Sequence, residues 1–116
     1  SLADFDAVLQ QDPQNISAHY YRGMARAKLG KLAAAEQDFS AAISLDASHS
    51  RAYWQRSLVW ERQGKKDLAA NDRQKAVELD PRLNFANSQI GKNMMESLSG
   101  KGGDDEKLDT FSKETR

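Results

Sequence analysis

The sequence repeats at a fixed spacing, and that period restricts the fold more than any single side chain does. Asp4-Phe5 returns as Asp38-Phe39, 34 positions on, and Asp72 follows at the same interval. Ala18, Arg22, Gly30, Lys31 and Ala35 return as Ala52, Arg56, Gly64, Lys65 and Ala69, while Ala42, Leu45 and Asp46 return as Ala76, Leu79 and Asp80. Self-similarity of this length marks a solenoid of one supersecondary unit, stacked because no unit buries its apolar face alone. Such arrays present long ordered surfaces, which points to binding more than to reaction chemistry.

Within the repeat, apolar residues recur at three and four: Leu2, Phe5, Val8 and Leu9, then Leu32, Ala35, Phe39, Ala42 and Ile43. This is the spacing of helices packed on one side, and no stretch alternates as a strand does. Breaks fall at Asp12-Pro13, Gly30, Asp46-Ala47-Ser48, Gly64 and Asp80-Pro81, where helices should end. The expected helices lie near 2–11, 17–29, 33–45, 51–63, 67–79 and 84–98. Ala18, Gly23 and Ala25 leave room for Ala35 and Ala42 on the next helix, and Ala52, Ser57, Ala69 and Ala76 do the same downstream. Phe39, Ile43, Leu45, Val77 and Leu79 then fill the space between hairpins.

Composition narrows the partners. The 116 residues hold 17 acidic and 17 basic side chains, so no global field recruits nucleic acid or an acidic membrane surface. No apolar run approaches the roughly 18 residues that span a bilayer, so membrane insertion is not expected. With no cysteine, disulfides, thiol catalysis and thiolate metal sites are absent; the cytoplasm is the expected compartment, with the periplasm left open. Ser1 falls in the middle of a repeat without an initiator methionine, which reads as a piece cut from a longer chain.

These features together resemble the tetratricopeptide repeat family, whose helix-turn-helix units carry small residues at the helix crossing and a closing proline. The residues that carry the resemblance are Gly23, Gly30, Ala35, Phe39 and Ala42 in one repeat and Ser57, Trp60, Gly64, Ala69, Ala76 and Pro81 in the next. The resemblance implies an all-α, right-handed superhelical solenoid of antiparallel helical hairpins over residues 1–98. It would comprise the second helix of a truncated repeat (2–13), two full repeats (16–49 and 50–83) and a capping helix (84–98) with a polar face, followed by a flexible charged tail (99–116). Departures are Arg73 at an aromatic slot and Ala47 in place of a closing proline. Arg22 and Arg56 stand where leucine is common. With Asp4, Asp38 and Asp72 at identical spacing, they suggest a ladder of Arg–Asp pairs between helices, the alternative being a basic ligand site.

First helices of this family line the concave face. Carried over slot by slot, that face holds Tyr20, Tyr21, Met24 and Lys28, then Arg51, Trp54, Gln55, Leu58 and Arg62, then Phe85, Gln89 and Lys92. Tyr20, Met24 and Lys28 follow one another at i, i+4 and i+8, as do Trp54, Leu58 and Arg62. Each helix thus offers an aromatic, an aliphatic and a cation, suited to a peptide or protein segment. Trp60 and Tyr53 are assigned to packing. Tyr20 and Met24 stand where chaperone-binding members place the lysine and asparagine of a carboxylate clamp, so a chaperone C-terminal tail is not the expected partner.

No enzyme is expected. His19 and His49 have no serine or carboxylate set at a catalytic spacing. Gly100-Lys101-Gly102-Gly103 lacks the GxxxxGK[ST] frame, and Asp104, Asp105 and Glu106 lack the ligand spacing of a calcium loop. No cofactor or metal is implied. The reading is a protein-interaction module of a larger scaffold or adaptor. Its alternatives are an architectural module forming a homodimer through the solenoid ends, or a regulatory domain of an enzyme lying elsewhere.

Overall fold

A computed structural model describes residues 1–84. Two units are separable, residues 1–81 and 82–116, and the first holds five helices: α1 (Leu2–Gln11), α2 (Ile16–Lys28), α3 (Leu32–Leu45), α4 (Ser50–Arg62) and α5 (Lys66–Leu79). The described residues contain no strand. The expected helix at 84–98, the tail at 99–116 and Phe85 lie outside them.

Each helix packs on its neighbour in sequence, and α2 also meets α4. The turn inside each hairpin is set by a glycine. Gly30 (φ 81°) and Gly64 (φ 79°) take the left-handed conformation that only glycine adopts without strain. Their backbones close a Schellman motif: Gly30 N donates to Ala27 O and Lys31 N to Arg26 O, and Gly64 N to Glu61 O and Lys65 N to Trp60 O. The turns between hairpins end in side-chain caps instead. Asn15 Oδ1 accepts from Ala18 N at 2.9 Å, and 34 positions on His49 Nδ1 accepts from Ala52 N at 3.0 Å.

The core is built from small residues on facing helices with larger ones between hairpins. Ala35, Ala42, Ala52, Ala69 and Ala76 are fully buried, and Phe39 and Val59 are the large side chains sealed among them. Gly23 is required at the α2–α3 crossing: a Cβ there would stand 2.8 Å from Phe39 Cε1, closer than side chains approach, and a tight 3.1 Å from Asp38 Cβ. Leu45, expected between hairpins, is exposed instead, because it is the last residue of α3 and lies beyond the packed turns.

Candidate functional site

The polar seam between hairpins shows how the first helices are fixed. Arg22 Nε and Nη2 donate to Asp38 at 2.7 to 3.2 Å, and Arg26 Nη1 donates to the same carboxylate at 3.0 Å. In the next repeat Arg56 donates to Asp72 at 2.6 and 2.9 Å, and the indole N–H of Trp60, which occupies the slot of Arg26, donates to Asp72 at 2.8 Å. Each arginine also reaches back to the preceding hairpin: Arg22 Nη1 to Asp6 at 2.8 Å, Arg56 Nη1 to Ser40 Oγ at 3.0 Å. The ladder is therefore structural, one guanidinium bridging three consecutive helices at each step. Hydrogen bonding to Asp38 and to Asp72 raises the arginine pKa values further.

One rung differs from expectation. Asp4 does not join the ladder; it pairs with the Ser1 amine and hydroxyl at the start of α1, with its side chain 84% exposed. Asp6 takes the rung because it lies 16 positions before Arg22, as Ser40 lies 16 before Arg56, so it shares the face of α1 that meets α2. Sequence reasoning missed Asp6 because its counterpart is a serine, which hides the repetition.

The α2–α4 face carries the remaining candidates. Tyr20 was expected in an open groove, and this is corrected: its ring is 7% exposed, centred 5.9 Å from Phe39, 5.0 Å from His49 and 5.2 Å from Tyr21. It belongs to the core because α3 and the α4 cap close over it. Burial raises the Tyr20 phenol pKa above its ordinary value, with the positive charge of Arg51 opposing that rise. Tyr21, by contrast, is 50% exposed, Met24 37% and Leu58 39%. Trp54 and Gln55 are half-buried; Lys28, Arg51 and Arg62 are exposed. Arg62 Nη1 donates to Ala27 O at 2.8 Å, laying its guanidinium across the C-terminal turn of α2.

Trp60 and Tyr53 are half-buried around the seam, with the Arg56 guanidinium 5.7 Å from the Tyr53 ring and 6.0 Å from the Trp60 ring. His19 Nε2 meets Pro13 O at 2.8 Å, which ties α2 to the turn before it. The described residues hold no cluster of three metal-ligating side chains and no helix long and apolar enough to cross a membrane.

Comparison with known proteins agrees with this architecture. Residues 16–49 match the sequence profile of the tetratricopeptide repeat. No curated protein matches the sequence significantly. Among solved structures, a crystal structure of MamA superposes with TM-score 0.72 and 25% identity, covering 97% of this chain and 63% of that one. A second MamA structure gives TM-score 0.65 and 22% identity, covering 70% of this chain and 44% of that one. The chain thus spans less than two thirds of these relatives.

Proposed function

We propose that this tetratricopeptide-repeat chain holds an extended segment of another protein across the face of α2 and α4. A protein-interaction or scaffold role in general is supported by the repeat matched at residues 16–49 and by the fold. The observation that supports this particular face is its composition: Tyr21, Met24 and Leu58 are exposed apolar side chains on the two first helices, which the Arg–Asp seam holds in fixed register. Rigid helices presenting such side chains bury a ligand's apolar groups with little ordering cost. In this reading the chain has no catalytic role of its own.

Selection from a displayed peptide library, followed by titration against Tyr21→Ala and Leu58→Ala, tests it. Both side chains are partly exposed, so the variants should stay folded, Tyr21→Ala giving up its ring contacts with Phe5 and Tyr20, and lose about 1–3 kcal/mol of binding. Unchanged affinity in both would reject this face.

A homodimer through α1 is the second reading, supported by Val8, 41% exposed on a helix whose main packing among the described elements is against α2. Sedimentation across a concentration series tests it: a mass that stays monomeric at the highest concentration rejects it.

A further inference from the structure

We infer that the segment recognised by the α2–α4 face is acidic, and that it is held through side-chain carboxylates flanking its apolar residues. This rests on the reading of that face as the binding surface.

The chain is neutral overall and α5 carries both signs, yet the charges of α1 to α4 are sorted by helix. α2 carries Arg22, Arg26 and Lys28 and no carboxylate; α4 carries Arg51, Arg56 and Arg62 and one carboxylate, Glu61. α1 and α3 are the reverse, with Asp4, Asp6, Glu36 and Asp38 and no lysine or arginine. Part of this sorting is used in packing: Arg22 and Arg26 face Asp38 and Asp6, and Arg56 faces Asp72. Packing leaves the charge of the rest without a carboxylate. Lys28, Arg51 and Arg62 are exposed, and none forms an ion pair with a described carboxylate. Glu61, the one carboxylate on these two helices, is held by Arg73 Nη2 at 2.7 Å. Arg62 donates to a neutral carbonyl, so its charge is not cancelled by a counterion.

The face therefore combines cations that have no carboxylate partner with exposed Tyr21, Met24 and Leu58. Complementary charge selects partners and speeds encounter more than it adds affinity, and like charge rejects the wrong ones. A cationic segment would be repelled, and a neutral apolar one would leave the cations unanswered. Terminal carboxylate capture is not the mode, since Tyr20 is buried and Met24 is apolar where a clamp would need polar donors; the carboxylates that fit are distributed along the segment.

The test uses the full chain and three libraries of amidated dodecapeptides. All carry Leu, Phe or Val at alternate positions; the remaining positions are Asp/Glu, Asn/Gln or Lys/Arg. The expected result is capture from the acidic library about tenfold above the neutral one, and almost none from the basic one. That preference should fade as salt rises from about 0.05 to about 0.5 M. Lys28→Glu/Arg51→Glu should transfer capture to the basic library, and the milder Lys28→Gln/Arg51→Gln should level acidic and neutral capture, both with unchanged melting temperature. Equal capture of acidic and neutral peptides, still abolished by Leu58→Ala, would overturn the acidic preference and leave the binding face standing. No capture from any library would overturn both.

Discussion

At the scale of single residues, Asp38 carries more of the fold than its size suggests. Its carboxylate is 2% exposed and answers two arginines, with His19 Nδ1 a further 3.7 Å away. Buried ion pairs add little net stability when intact, yet removing one partner leaves the other charge stranded. Asp38→Ala should therefore cost about 3–5 kcal/mol in denaturant unfolding. Asp72→Ala, which strands one arginine and one indole, should cost less. Tyr20 gives a pH signature. Its pKa lies above the ordinary 10.0, so the fold favours the protonated phenol. Between the unfolded and folded values the unfolded chain has released a proton that the native chain keeps, and stability falls as pH rises. The contribution is complete below about pH 10 and lost above it; melting temperatures followed from pH 8 to pH 11 should fall less steeply in Tyr20→Phe than in wild type. The arginine–aspartate spacing was legible in the sequence because Arg22, Arg56, Asp38 and Asp72 repeat. The burial of Tyr20 was not, because it depends on Phe39 and His49 arriving from other helices.

At the scale of helices, the two hairpins solve the same crossing differently. Phe39 fills the first and demands Gly23 opposite; Arg73 occupies the equivalent slot in the second, pairs outward with Glu61, and leaves room for Ser57. Gly23→Ala should cost about 1–3 kcal/mol through overpacking. Arg73→Phe should stabilise only when combined with Ser57→Gly, a non-additivity that a double-mutant cycle in thermal unfolding would show. The caps offer a second comparison. Asn15→Ala and His49→Ala should each destabilise by about 1 kcal/mol, while His49→Asn should keep the cap and lose only the ring contact with Tyr20. The helix positions were readable from the glycines and the three-four spacing, because both act locally. The capping role of His49 was hidden by its residue type and emerges only by alignment with Asn15.

At the scale of the whole molecule, the described residues form two helical hairpins and a leading helix, joined by a periodic polar seam and an alanine-rich core. The seam consumes the arginines that face carboxylates, and the α2–α4 face keeps the cations and apolar side chains that packing does not use. Slot-by-slot reading placed Tyr21, Met24 and Leu58 on that face without showing their exposure, since exposure depends on how closely neighbouring hairpins approach. The most direct measurement is a two-dimensional amide and indole NMR titration of the labelled chain with a library-selected peptide. Shifts should concentrate at Tyr21, Met24, Lys28, Leu58 and the Trp54 indole if the segment lies across α2 and α4. Shifts concentrated on α1, α3 or α5, with these residues unmoved, would contradict that placement.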